Sequence, residues 1–162
     1  IICSDVTENI KMHTFNNNSA AALNTNNLNS STKKMYKNLN SLSASSIASV
    51  KTTKLSDEID FKELDKPIYW LYAQGSEYNI VNGSREVFEN SPPLVIAYSP
   101  LLYKSKHLDA EKFYSLLKTL GYQNFFDLYS KENKILKISK QYLTELDSSL
   151  GKTSSARLLL FI

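Results

Sequence analysis

From Leu94 to the end of the chain, the spacing of apolar residues changes period in a set order, and that order limits the available folds. Leu94–Ser99 (LVIAYS) is a short, almost continuous apolar run, the pattern of a central strand. Asp109 then caps a helix, with Leu108 placed to staple onto Phe113. Phe113, Leu116, Leu117 and Leu120 give that helix one apolar stripe, and Gly121 supplies a left-handed stop. Asn124–Tyr129 reads as a strand, Lys131–Lys134 as a turn and Ile135–Ile138 as the hairpin partner. Ser139 caps a second helix whose apolar face is Tyr142, Leu143, Leu146 and Leu150, ended by Gly151. Arg157–Ile162 (RLLLFI) is the last strand. The order β-α-β-β-α-β predicts an α+β fold of the ferredoxin-like, split βαβ kind, with both helices on one face of the sheet.

A β-meander is predicted ahead of this module. Ile68–Ala73 (IYWLYA) reads as a strand, Gln74-Gly75-Ser76 as a turn and Tyr78–Val81 as a second strand. Asn82-Gly83 has the composition of a two-residue hairpin turn leading into Ser84–Phe88. Earlier still, Asp5 and Glu8 form a capping pattern for a short helix through Met12, and Ser56 is placed to cap another over Asp57–Leu64, stopped by Pro67.

Charge and aromatic content divide the chain near residue 56. Among seven Phe, ten Tyr and one Trp, only Phe15 and Tyr36 precede residue 57. The front holds six lysines and two acids, with no Asp or Glu between Asn9 and Ser56, whereas residues 57–162 carry a net charge of −1 out of the chain's +3. Residues 1–56 are therefore expected to be a polar Asn/Ser/Lys-rich arm, and 57–162 a single α+β domain. The front reads as a flexible tether, or as an arm laid on a partner, since Leu28, Met35, Leu39 and Leu42 have helix-compatible spacing.

Most recognisable chemistries lack their residues. His13, His107 and Cys3 are too few and too scattered for a zinc or other transition-metal site. The acids at Asp57, Glu58, Asp60, Glu63 and Asp65 lack the alternation and central glycine of a calcium loop. Gly151-Lys152-Thr153 resembles the end of a phosphate-binding loop, but Leu146 stands where the first glycine is required. No cofactor, metal or catalytic residue is expected. One candidate anion or partner site is Tyr98, Tyr103, Lys104, Lys106 and His107, which precede the N-terminus of the clearest helix. A second candidate is the aromatic run Tyr69, Trp70 and Tyr72, because strand alternation turns some of these rings away from one core face. Lys33, Lys34 and Lys37 mark a basic arm.

The element order is similar to that of RNA-recognition motifs and of SPOR peptidoglycan-binding domains. The third strand of the module, KILKIS, carries no aromatic to stack on a base, and the Gln-x-Gly-Ser-Phe-like and Gly-Pro-Phe-like signatures of SPOR domains are absent. The similarity is one of order alone, which many functions share.

The resulting expectation is a non-enzymatic protein-interaction or assembly module whose arm contacts or tethers to a partner. The alternative is a small nucleic-acid-associated module using the lysine-bearing arm. The longest apolar runs are far shorter than the ~20 residues of a membrane-spanning helix. The non-Met start, the Ile1-Ile2-Cys3 opening and the acid-poor front fit an exported or organelle-targeted protein, with Cys3 a candidate lipid anchor.

Overall fold

The run at Leu94–Tyr98 forms strand β5, and all five of its residues are buried. In the computed structural model, which describes residues 2–3, 9–15, 44–132, 134–152 and 155–162, this strand joins the two halves of a mixed sheet. The strands of that sheet are β4 (Tyr69–Leu71), β5, β6 (Asn124–Asp127), β7 (Leu136–Lys137) and β8 (Arg157–Phe161). They lie in the order β4-β5-β8-β6-β7. β4 runs parallel to β5, and the other ladders are antiparallel. The helices are α1 (Leu55–Glu58), α2 (Glu77–Gly83), α3 (Arg85–Phe88), α4 (Pro100–Ser105), α5 (Ala110–Thr119) and α6 (Lys140–Leu150). The protein is thus a mixed α+β fold with a five-stranded mixed sheet and several short helices.

The order of elements from residue 94 is the expected one, apart from the added short helix α4. The order of strands is not that of a ferredoxin-like sheet, whose central pair is the first and third strands of the motif. Here the last strand, β8, lies between β5 and β6, while β7 is at the edge. Length and composition explain the exchange. β7 has two residues, one half-buried and one exposed, too little to bridge two neighbours. β8 has five residues drawn from an apolar run, and pairs with β5 along its whole length and with β6 over three positions.

The predicted meander is replaced by helices after its first strand. Its buried residues are Glu77, Ile80, Val81, Ser84, Val87 and Phe88, a spacing of three and four that belongs to a helix. Asn82 and Gly83 end α2 instead of making a hairpin, and the Asn82 side chain accepts from the Arg85 guanidinium at 2.6 Å. The helix expected over Asp57–Leu64 is the shorter α1, with Lys54 at its cap position and Ser56 inside it. The helix expected through Met12 is also overturned. Asn9–Phe15 forms β2, antiparallel to β3 (Ala44–Thr53), and Ile2–Cys3 forms β1, parallel to the other edge of β3. The β-branched residues Ile47, Val50, Thr52 and Thr53 favour an extended β3 over a helix or tether. The Leu28–Leu42 stripe lies outside the described residues.

The two long helices begin as expected. Asp109 accepts from the Lys112 backbone N–H at 2.9 Å, and Ser139 accepts from that of Tyr142 at 3.1 Å. Between them, Phe113 is the meeting point of the aromatic core. Its ring lies 5.1 Å from Tyr98, 5.4 Å from Tyr103 and 6.3 Å from Phe161.

Gly121 follows α5 with φ of +89°, and a Cβ there would lie 2.8 Å from the Ser91 hydroxyl. That hydroxyl is already committed to the Leu120 carbonyl. Gly121→Ala therefore adds left-handed strain to a steric conflict and is expected to cost about 1–3 kcal/mol. Ser115→Ala on the exposed side of α5 is expected to change stability by less than about 0.5 kcal/mol. Urea unfolding of both variants checks the difference.

Candidate functional site

The register of the sheet assigns its side chains to two faces. Tyr69, Leu94, Ile96, Tyr98, Leu159, Phe161 and Phe125 share one face, since they are directly paired across the ladders or two residues apart. Ring contacts place α3, α5 and α6 on that same face. Phe88 lies 5.1 Å from Tyr69, Phe113 lies 5.1 Å from Tyr98, and Tyr142 lies 4.9 Å from Phe125. These residues, with the apolar stripes of the helices, form the hydrophobic core.

The opposite face carries the alternate residues. One row across the strands is Trp70, Val95, Leu160 and Phe126. One pleat further, Tyr72, Ala97, Leu158 and Leu128 form a second row, with the Leu128 N–H donating to the Leu158 carbonyl at 2.9 Å. Ile68 and Ile162 continue the β4 and β8 columns on the other side. None of these residues belongs to the core beneath the helices. Ile68, Trp70 and Tyr72 are 69%, 60% and 64% exposed, whereas Val95 and Ala97 beside them are each 4% exposed. The larger side chains on either side therefore cover Val95 and Ala97, and the most exposed part of the face is the column Ile68, Trp70 and Tyr72.

Of the three aromatics singled out, Tyr69 turns inward and is part of the core, while Trp70, and Tyr72 just past the end of β4, are exposed on the opposite, helix-free face, which carries no helix among the described residues. Strand alternation separates them, as a period of two requires.

The second candidate cluster is also assembled, but around acids that the sequence did not single out. Tyr98 donates its hydroxyl to Asp147 on α6 at 2.8 Å. Tyr103, a buried residue of α4, donates to Glu77 at 3.1 Å. The Lys104 ammonium donates to the Asp147 carbonyl at 3.3 Å, near the negative end of α6. The Lys106 ammonium donates to the Ser76 hydroxyl at 2.8 Å. His107 is exposed and stands apart, with φ of +58° and its carbonyl accepting from the Lys112 ammonium at 2.8 Å. The hydroxyls and ammonium groups of Tyr98, Tyr103, Lys104 and Lys106 thus hold α2, α4 and α6 together. Lys33, Lys34 and Lys37 lie outside the described residues.

Glu77 is the most deeply placed charge-bearing group of this cluster, with no exposed surface. Its carboxylate accepts from the backbone N–H of Ala73 at 2.6 Å and of Gly75 at 2.9 Å, so it shapes the turn that leads from β4 into α2. Gly75 is required there. It has φ of +89°, and a Cβ would lie 2.7 Å from that of Leu102. Burial pushes the Glu77 carboxyl above the ordinary carboxylate range, opposed by the N–H groups it accepts from and by Tyr103. Burial also pushes the Lys106 ammonium down, against the attraction of Glu77. The Tyr98 and Tyr103 hydroxyls are pushed up, first by burial and then by their acidic partners. A similar acid, Asp127, accepts from the Tyr142 hydroxyl at 2.7 Å and from the Tyr129 N–H at 2.9 Å.

Among the described residues, no group of His, Cys, Asp and Glu is placed to hold a metal ion, and no helix is long and apolar enough to cross a membrane.

Because Glu77 binds its proton more tightly in the folded than in the unfolded chain, its contribution is complete below the unfolded pKa. That contribution is lost as pH rises through the raised folded value. The stability difference between the wild type and Glu77→Gln is therefore expected to move in favour of Gln as pH rises through that window. Glu77→Ala leaves two N–H groups and the Tyr103 hydroxyl without their acceptor, and is expected to cost about 3 kcal/mol. Chemical denaturation of the three proteins across a pH series checks both statements.

Compared with known proteins, the chain matches no family model, no curated protein and no solved structure.

Proposed function

We propose that this chain is a protein-interaction or assembly module whose contact surface is the helix-free face of its sheet. The observation that carries this reading is the exposure of Ile68, Trp70 and Tyr72 as one column of large apolar side chains on that face. Isolated exposed apolar residues are ordinary on a protein surface, but contiguous rows of them mark contact sites.

Strand composition supports the same reading. A strand with one solvated face alternates apolar with polar residues, whereas β5, and β8 apart from Arg157 at its start, are apolar on both sides. Helices cover one side of these two strands. The other side presents Val95, Ala97, Leu158 and Leu160, to which a solvated sheet would assign polar residues. Trp and Tyr at its margin are the residue types most enriched at the energetic centres of protein interfaces. The nucleic-acid alternative rests on Lys33, Lys34 and Lys37, outside the described residues, and the face proposed here offers apolar side chains in place of a phosphate-tracking basic stripe.

A photoreactive benzophenone side chain introduced at position 72, and separately at the exposed Lys118 on α5, tests the assignment in the full chain in its native cells. Discrete protein adducts are expected from position 72 and not from position 118. Adducts of equal yield from both positions, or none from position 72, would overturn the reading.

A further inference from the structure

We infer that the occupant of the helix-free face is the same face of a second copy of this chain, an inference that rests on the interaction reading above. The face carries a ridge of large exposed side chains, Trp70 on β4 with Ile68 and Tyr72 flanking that strand, beside the lower, half-buried Leu158, Leu160 and Phe126 on β8 and β6. A two-fold axis lays the ridge of each copy on the lower columns of the other, because in such an interface each contact is made in both directions, at the ~10 Å separation of stacked sheets.

Charge supports self-pairing over a charged partner. Among the strand residues on this face only Lys137 is charged, and it lies on β7, at the opposite edge of the sheet from β4. Two copies therefore meet without like charges opposed, and a partner with a charged contact surface would find no counter-ion there. Area agrees as well. A whole aromatic side chain offers roughly 200 Å². The exposed parts of Ile68, Trp70, Tyr72, Leu128 and Ile162, with the half-buried Leu158, Leu160 and Phe126, then amount to something on the order of 600–800 Å². Stable complexes bury about 800 Å² per partner.

The chain contains one tryptophan, and it is Trp70 on the ridge, so its fluorescence reports directly on this face. Sedimentation equilibrium of the full chain is expected to show a monomer–dimer equilibrium, with the Trp70 emission shifting to shorter wavelength in step with the dimer fraction. Tyr72→Lys places a charge in the interface and is expected to weaken dimerisation by about tenfold or more, while Tyr72→Phe retains it. Tyr72 is outside the core, and circular dichroism verifies that the lysine variant stays folded. A chain that remains monomeric at every soluble concentration overturns the inference, as does a dimer whose formation leaves Trp70 emission and the Tyr72→Lys affinity unchanged. If the purified chain is monomeric yet position 72 crosslinks to a different protein, the second-copy inference fails and the interaction reading stands. If the chain is monomeric and position 72 gives no adduct, both fail.

Discussion

The architecture depends on the handedness of its crossovers. A connection between parallel strands of one sheet turns right-handed almost without exception. β4 and β5 are parallel neighbours joined through α2 and α3, and β5 and β6 run parallel with β8 between them, joined through α4 and α5. Both steps travel the same way across the sheet, so one hand puts their helices on one side. The return from β7 to β8 through α6 reverses both strand direction and direction of travel, which leaves α6 on that side too. The ring contacts from α3, α5 and α6 to Tyr69, Tyr98 and Phe125 are the outcome.

Gathering the two longest described helices, α5 and α6, on one face creates a core that must also accommodate polar groups. α2, α4 and α6 meet at the C-terminal end of β5, where the chain changes direction and backbone groups lose their ladder partners. Glu77 satisfies the N–H groups of Ala73 and Gly75, and Asp147 accepts from Tyr98, so the sites where apolar packing ends are closed by hydrogen bonds. A buried acid is costly unless its lone pairs are used. Here the carboxylate of Glu77 accepts three such bonds, counting Tyr103. Lys104 and Lys106, which resemble part of an anion site when taken alone, donate in three dimensions to the Asp147 carbonyl and the Ser76 hydroxyl.

What was legible in the sequence follows from how local each signal is. The caps at Asp109 and Ser139, the stripe from Phe113 to Leu120 and the apolar runs of β5 and β8 are decided by neighbours within a few positions. All of them form as expected. Residues 77–88 misled because two of the inward-facing residues are Glu77 and Ser84. A reading that counts only apolar residues leaves Tyr78, Ile80 and Val81 before the Asn-Gly pair and Val87 and Phe88 after it, two short groups that do not separate a period of two from one of 3.6. The strand order is a property of the ladders, and no local pattern announces that β8 inserts between β5 and β6. For the candidate surface, alternation on β4 was enough to say that some of Tyr69, Trp70 and Tyr72 face outward. That their neighbours on β5 and β8 join them on a helix-free face required the register. Glu77 gave a usable signal, its spacing from Ile80, Val81 and Ser84, once a helix is considered.

The same geometry bears on two ways in which a sheet can recruit a partner, along its edge or through its face. β4 is an edge strand, and edges invite further strands through unpaired backbone groups. This edge is short, however, at three residues, and both ends are obstructed. Pro67 stands two residues before it and has no N–H to donate. After it, the Ala73 N–H is taken by Glu77, and the chain turns away at Gln74 and Gly75, both with positive φ. β7 at the other edge is only two residues long. An added strand would find a few backbone bonds at either side, whereas the helix-free face spans four strands with rows of apolar side chains. Apolar area removed from water is the larger driving force for association, and this is why the partner is proposed to sit on the face and not along the edge.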